Sequence, residues 1–402
     1  MKKVTAINPS KEIKKIITFI LAVIVLLMLC VPAYATEIGA SSSTGIVSPS
    51  SDDLMKFVNN FMERRVEVLV EQQKEMVPIT IDSTNGIIRE SDKMFSAEEN
   101  TLKELSDRRD VLSKWGEEYS DYEIELTLEK IDTSEDSATL VVKELTTLFY
   151  EKINGDEPDC TAWDVEREFV FQNDSQGWTL VSQQLINDTE SVPTNEATGV
   201  TYDEMDAALN KYATFSSDDE SLSRTMNIPM DTNEASGQTR GSFSGSSAAS
   251  YATTYWSNYN PNYRTFSGVG GDCTNFVSQA MKYGGWTDAP GVTHSNAKYW
   301  WYNSLAQTYS WVNVDYFHDF SLIHSKRSNS ISTPRSLTVG CVLQVDFTNN
   351  SSKDHTMIVT AKSNGEIYLT YHTTNTLNKS FANLLSSYPN GKWVSHGVKA
   401  SF

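Results

Sequence analysis

The stretch GGDCTNFVSQAMKYGGW, residues 270–286, predicts a helix that carries a cysteine in its first turn. Asp272 can cap the N-terminus, and Gly284 with Gly285 supplies the stop. Apolar residues recur within it at helical spacing, at Phe276, Val277, Ala280 and Met281. At a helix start, unpaired backbone N–H groups and the helix dipole favour a thiolate, so we expect a lowered pKa for Cys273. The position favours a reactive thiol over a buried structural cysteine.

A basic partner for this thiol is predicted on a hairpin near the C-terminus. The segment SKDHTMIVTAKSNGEIYLTYHTTN has two alternating strands joined by the turn Asn364-Gly365. In the register that this turn sets, His372 is the diagonal neighbour of His355 on the same face. We therefore expect one imidazole to hydrogen-bond the other and to fix the tautomer of His355. The alternatives for this orienting role are Thr374 and Asn375.

The N-terminus has the pattern of a targeting segment. Five lysines and one glutamate accompany an apolar run from Ile16 to Cys30, and small residues follow at Ala33 and Ala35. This order predicts a secretory signal peptide over residues 1–35, cleaved after Ala35. An uncleaved anchor is the alternative, but the run is short of the roughly 20 residues that span a bilayer.

Residues 50–186 predict a small acidic α+β domain. Apolar positions from Leu54 to Leu69 have helical spacing, and a second helix is predicted after Ser96 as N-cap. Four strands follow, in the segments YEIELTLEKI, ATLVVKELTTLFYEK, TAWDVEREFVFQN and WTLVSQQL. Two helices and an antiparallel meander are similar in outline to the cone-shaped nuclear-transport-factor-2-like class. The sequence as a whole therefore predicts an α+β protein.

Composition divides the rest of the chain. Residues 187–246 are rich in Ser, Thr, Asp and Gly and predict a linker with a short helix near Tyr202–Tyr212. Residues 247–402 contain six of the nine tryptophans and all six histidines, which indicates a second folded domain. The formal charge is −19, yet Gly241–Phe402 has 11 basic and 7 acidic residues. The acidic first half argues against nucleic acid as a partner, whereas the basic second half can approach an anionic cell wall.

The other cysteines and histidines give weaker signals. Cys341 in VGCVLQVDF alternates inward on a predicted strand, which indicates a core residue. Cys160, in a polar turn, is either a thiol or the disulfide partner of Cys341. With Cys273 these make three cysteines in the processed chain, so at least one is unpaired. We predict no metal and no cofactor, because ligand spacing is absent among His294, His318, His324 and His396.

Five segments of the C-terminal region together resemble a family. They are YWSNYNPNYRTFSGVGGDCTNFVSQAMKYGGW, WVNVDYFHDF, LTVGCVLQVDF, DHTMIVT and IYLTYHTTNTLNKS. These look like the "putative amidase domain" of exported bacterial proteins, in the papain-like cysteine hydrolase superfamily that includes the CHAP-type cell-wall amidohydrolases. The resemblance implies a papain-like domain, in which a helix bearing the cysteine packs on an antiparallel sheet bearing the histidine. One departure is Cys341, because related domains usually have Asp after the preceding Gly.

The same resemblance implies roles for three residues. Cys273 is the expected nucleophile, His355 the base and His372 the orienting group. The expected function is that of a secreted cysteine amidohydrolase, which cleaves an amide in cell-wall peptide or another extracellular peptide through a thioester. Two alternatives stay open, a non-catalytic wall- or sugar-binding module and a transglutaminase-like acyltransferase. The sequence leaves the oligomeric state open.

Overall fold

The first half of the chain forms two long helices and six strands. A computed structural model describes residues 49–71, 76–83, 86–151, 158–174, 176–186, 196–212, 241–267 and 271–402. Helix α1 spans Ser51–Val70 and α2 spans Asp92–Lys114. The strands are β1 Thr80–Ser83, β2 Gly86–Glu90, β3 Tyr119–Thr133, β4 Ser137–Tyr150, β5 Cys160–Asp174 and β6 Gly177–Leu185. The last four confirm the predicted meander, and the β1–β2 hairpin is an addition to it.

Both helices have a serine cap, and α2 begins earlier than predicted. The hydroxyl of Ser50 accepts a hydrogen bond from the backbone N–H of Asp53, and Ser91 caps α2 by accepting from the N–H of Met94. Ser96 lies inside α2, so its prediction as the N-cap is wrong. A serine is a competent cap wherever its backbone is extended, and only Ser91 has that conformation at the start of this helix.

The core of the first half lies between α1 and the meander. Phe57 and Phe61 of α1 meet Phe171 and Phe169 of β5 edge-on, at ring-centroid distances of 5.5 and 6.2 Å. All four side chains are fully buried. Burial of each contributes about 1.5–3 kcal/mol, so these contacts fix α1 on the sheet.

The second half places its helices against further strands. A short helix, α3, spans Tyr202–Lys211, as predicted. The remaining helices are α4 Gly245–Tyr255, α5 Cys273–Tyr283, α6 Tyr309–Val312, α7 Val314–His318 and α8 Phe381–Ser387, with a π-helix at Asp319–His324 and a 3₁₀ turn at Pro334–Ser336. The strands are β7 Ser328–Ile331, β8 Val342–Asp346, β9 His355–Ser363, β10 Glu366–Tyr371, β11 Thr376–Ser380 and β12 Lys392–Val398.

One sheet runs through both halves. The strand order is β1-β2-β6-β5-β11-β10-β9-β8-β12-β7, with β4 also on β5 and β3 on β4. The junction is β5–β11, where Trp163 is paired with Thr376 and Ala162 with Leu377. Among the strands described, only β2 and β6 pair in parallel. The α+β class is therefore confirmed, with a large and mostly antiparallel sheet.

The hydrophobic core around α5 also contains residues of α2, from the first half, and of α3. Val111 and Leu112 of α2, with Met205 and Leu209 of α3, belong to the same buried cluster as the apolar face of α5. The described residues lie within one compact unit. The domain boundaries at residues 50–186, 187–246 and 247–402 stay predictions, but the two halves share both a sheet and a core.

The predicted signal peptide, residues 1–35, lies outside the described residues. Within the described part of the chain, every helix is too short or too polar to cross a bilayer.

Candidate active site

The helix that carries Cys273 forms as predicted. Helix α5 begins at Cys273, immediately after Asp272, and ends at Tyr283, where Gly284 is the C-cap. The apolar stripe of Phe276, Val277, Ala280 and Met281 is fully buried. The carboxylate of Asp272 makes no capping bond to the helix, which corrects the expected role of this side chain. The thiol thus lies in the first turn of a helix fixed by its core face.

The Cys273 thiol is buried against the start of β9. Its side chain is 5% exposed, and Sγ lies 3.8 Å from the hydroxyl of Thr274. That hydroxyl in turn lies 2.9 Å from the hydroxyl of Thr356 on β9. Burial raises the pKa of the thiol, and hydrogen bonds from the backbone of Thr356 and the side chain of Thr274 offset this only in part. The predicted lowering of the pKa is therefore wrong in direction, because burial outweighs the stabilisation expected at a helix start.

His355 lies next to Thr356, at the first position of β9. The β8–β9 ladder pairs it with Val345, and its ring meets Tyr371 edge-on at a centroid distance of 5.0 Å. The side chain is 1% exposed, and burial lowers its pKa to about 3. Within the described residues, Nε2 has no hydrogen-bond partner. His355 is therefore a neutral imidazole at neutral pH, one residue from the strand position that contacts the thiol.

The hairpin register holds only near the turn. Glu366 pairs with Ser363 as predicted, but a bulge between Tyr368 and Leu369 shifts the later pairs by one residue. His372 lies beyond the end of β10. A shift of one residue changes which side chains are neighbours on a face, so the geometry on which the two-histidine contact was predicted does not hold.

His372 makes two hydrogen bonds, neither of them to His355. Its Nδ1 lies 2.7 Å from Oδ2 of Asp272, and its Nε2 lies 2.8 Å from the carbonyl oxygen of Tyr255, in the last turn of α4. The imidazole ring stacks between Tyr259 and Phe276, at centroid distances of 4.0 and 3.9 Å. The predicted bond between the two imidazoles is therefore wrong. His372 is instead connected to the residue that precedes Cys273.

The turn after β10 holds the start of α5 at a second point. The hydroxyl of Thr373 accepts a hydrogen bond from the backbone N–H of Asp272, at 3.1 Å. Thr373 has φ of 91°, a strained conformation for a β-branched residue. A Cβ on Gly271 would lie 3.1 Å from that hydroxyl, so glycine allows the close approach. Asn375, an alternative orienting group in the sequence analysis, accepts instead from the hydroxyl of Tyr259.

The sequence predicted only a capping role for Asp272, but its side chain makes several other contacts in the site. It is fully buried, and its Oδ1 accepts from the backbone N–H of Phe266 at 2.8 Å and from the amide of Asn275 at 2.9 Å. With His372 and Thr373, these contacts converge on the residue beside the nucleophile. An acid directly before a cysteine at a helix start is the only sequence signal for this arrangement.

The remaining thiols and histidines lie elsewhere. Cys341 is buried in the core, as predicted, and no disulfide joins it to Cys160. His396 is buried between Ser321 and Gln344, and His318 contacts Asp319. Across the described ranges, no three His, Cys, Asp or Glu side chains come together as metal ligands.

Residues 242–395 match the family described as "Putative amidase domain". The match contains Cys273, His355 and His372, and it supports an amide-bond hydrolase as the class of this region.

Two curated proteins of Bacillus subtilis are similar to parts of this chain. "Uncharacterized protein YjcM" is 33% identical over 116 residues, covering 27% of this chain and 25% of that protein. "Uncharacterized protein YhbB" is 35% identical over 102 residues, covering 24% of this chain and 32% of that protein. The chain therefore spans about a third or less of the length of each. The solved Kfla4162 protein from Kribbella flavida aligns with 34% of this chain and 91% of its own, at 14% identity and a TM-score of 0.22.

Proposed function

We propose that the C-terminal region is a cysteine amidohydrolase of papain-like type, exported after loss of residues 1–35, which acts on cell-wall peptide or another extracellular peptide. The observation that carries the proposal is the position of the Cys273 thiol against Thr356, directly beside His355. A cysteine at a helix start and a histidine on the antiparallel strand packed against it are the two groups that thioester chemistry requires. The mildly basic composition of Gly241–Phe402 suits an anionic wall.

The reaction starts from a neutral pair. Because burial raises the pKa of Cys273 and lowers that of His355, the resting site holds a thiol and an imidazole. As Sγ attacks the carbonyl carbon, its proton passes to His355, and the backbone N–H of Cys273 donates to the developing oxyanion. The C–N bond then breaks, His355 gives the proton to the leaving amine, and a thioester remains. Water, deprotonated by His355, attacks the thioester to release the carboxylic acid and restore the thiol.

Asp272 and His372 have a positioning role in this proposal. A carboxylate and a carbonyl oxygen face the two ring nitrogens of His372, and both are acceptors. Both ring nitrogens of His372 are thus held by hydrogen-bond partners, which fixes the orientation of the ring beside Asp272. This pair fastens the end of α4 and the turn after β10 to the start of α5. It thereby fixes Cys273 relative to β9.

The test is product analysis by mass spectrometry on purified wall fragments and a peptide library. We expect fragments in which an amide has gained one water, and a loss on the order of 10³-fold or more in Cys273→Ser and His355→Asn. Cys341→Ser, which changes the other buried thiol of this region, is the matched control and should retain activity.

The same measurement separates the alternatives. With an added primary amine, an acyltransferase gives the amine adduct in place of the free acid. A binding module gives no product, and its affinity for wall fragments is unchanged by Cys273→Ser. Either result would overturn the hydrolase proposal.

A further inference from the structure

A row of buried polar side chains leads from the thiol of Cys273 across the sheet to β12. It consists of Thr274 on α5, Thr356 on β9, Gln344 on β8 and His396 on β12, and we call it the donor row. All four side chains are fully buried, and Gln344 is the direct ladder partner of Thr356. None of the four takes part in the mechanism proposed above.

A backbone carbonyl fixes the orientation of the Gln344 amide. Its Nε2 lies 2.9 Å from the carbonyl oxygen of Val314 and 3.1 Å from the hydroxyl of Thr356. A carbonyl oxygen only accepts, so the group that faces Val314 must be the NH₂ group. The same group therefore donates to Thr356, and Oε1 is left to face Nε2 of His396, at 2.9 Å.

This orientation sets the tautomer of His396. Because Oε1 of Gln344 accepts, Nε2 of His396 carries the hydrogen. Burial lowers the pKa of this imidazole to about 3, and His318 and Lys353 act in the same direction, so the ring is neutral. Its Nδ1, which lies 3.2 Å from the hydroxyl of Ser321, is then an acceptor. His396 thus supplies a donor that holds the Gln344 oxygen in place.

The same reasoning gives the direction of the two threonine hydroxyls. Thr356 accepts from Gln344, so its own hydrogen is available to the hydroxyl of Thr274, at 2.9 Å. Thr274 accepts that hydrogen and keeps its own for Sγ of Cys273, at 3.8 Å. Within the described ranges, neither hydroxyl has a further side-chain partner. Every hydrogen in the donor row therefore points toward the sulfur.

We propose that the donor row is a directed chain that stabilises the thiolate of Cys273. As the thiol loses its proton, the hydroxyl of Thr274 donates to the charge that develops on Sγ. Gln344 and His396 are positioning residues, since they act through the direction of that hydroxyl. The row opposes burial and the charge of Asp272, which both raise the pKa of the thiol. Its use in catalysis rests on the proposed function, but its effect on the thiol does not.

The test is the pH dependence of alkylation by iodoacetamide from pH 6 to 11, on the chain from residue 36 onward with Cys160→Ser and Cys341→Ser. Thr274→Val keeps the shape of the side chain but removes the hydroxyl, so we expect the thiol pKa to rise by about one unit. Thr274→Ser retains the donor and should keep the pKa of the parent protein. Thr360→Val is the control, because it breaks a similar threonine pair, with Thr370 at 2.8 Å, further along β9.

Gln344→Met tests whether the amide acts through Thr274. This change removes the donor to Thr356 at similar volume, so the thiol pKa should rise. In a Thr274→Val background it should add little, because the last link is already absent. Should Gln344→Met not fold, Thr356→Val breaks the same link and takes its place.

Three results would overturn the proposal. They are an unchanged pKa in Thr274→Val, an equal rise in Thr274→Ser, and full additivity of Gln344→Met with Thr274→Val. Alkylation needs no substrate, so the measurement decides the role of the donor row even in a protein that hydrolyses no amide.

Discussion

Unlike an activated cysteine whose pKa is lowered so that it is ionised at rest, Cys273 has a raised pKa. Because burial raises that pKa, we expect its alkylation by iodoacetamide to follow a titration above the value of about 8.5 typical of a free thiol. The measurement is the rate against pH from 6 to 10 in a Cys160→Ser, Cys341→Ser background of the chain from residue 36 onward, so that only Cys273 reacts. His355→Asn should leave this titration unchanged, since the imidazole is neutral throughout the range. A rate plateau below pH 7 that His355→Asn removes would show a resting thiolate–imidazolium pair instead.

His372 supports the site through Asp272 and has no contact with the reacting atoms in the proposed mechanism. His372→Gln removes at least one of the two hydrogen bonds, so α5 loses its fixed start. We expect kcat for amide hydrolysis to fall about 10- to 100-fold with KM little changed, because orientation of the thiol affects the reaction more than substrate binding.

A matched variant distinguishes positioning from general damage. His318 contacts Asp319 at 2.9 Å, the same type of pair away from α5, so His318→Gln should retain kcat. If His372→Gln lowers the thermal midpoint but leaves kcat intact, the Asp272–His372 pair is structural only.

At the scale of elements, the segment before α3 is held by a partly buried ion cluster. Glu196 accepts from Arg65 at 2.9 Å and from Arg167 at 2.6 Å. Burial alone would raise its pKa, but Arg167 and Arg65 together hold it at about 2. Since this folded-state pKa lies below the unfolded value, its stabilisation is complete above about pH 4.5 and is lost as the pH falls towards 2.

Glu196→Gln should therefore lower the free energy of unfolding at pH 7 by on the order of 2–3 kcal/mol. Urea denaturation at pH 7 and at low pH measures this, and the difference from wild type should shrink as the pH falls. Glu129→Gln, at an exposed strand position, is the control and should change little. An equal loss in both variants at pH 7 would refute the role of the cluster.

The elements show which parts of the site the sequence could predict. Helical spacing and paired glycines predict α5, and Asn364-Gly365 predicts the hairpin, because these signals act between near neighbours. The bulge after Tyr368 and the positive φ of Thr373 have no local sequence signal, and Thr373 contacts Asp272 about 100 residues earlier in the chain. The partner of His372 was missed for the same reason, since Asp272 is 100 residues away in the chain.

For the whole molecule, the shared core changes what we expect of the isolated C-terminal region. The sequence alone predicts that Gly241–Phe402 folds by itself, yet this fragment lacks four core residues of α2 and α3 and the β5 partner of β11. We expect the fragment to lose its cooperative thermal transition or to unfold at least about 10 °C below the chain from residue 47 onward. Calorimetry of this fragment and of the longer chain measures the difference. Equal midpoints would establish an independent domain.

The short β5–β11 junction also sets an order of assembly. Synthesis proceeds from the N-terminus, so β5 exists well before β11 is made. During that interval the edge at Ala162 and Trp163 exposes backbone groups that β11 later pairs, and such an edge can pair with a strand of another chain. We therefore expect the interval before β11 is made to be the time when the nascent protein is most exposed to aggregation.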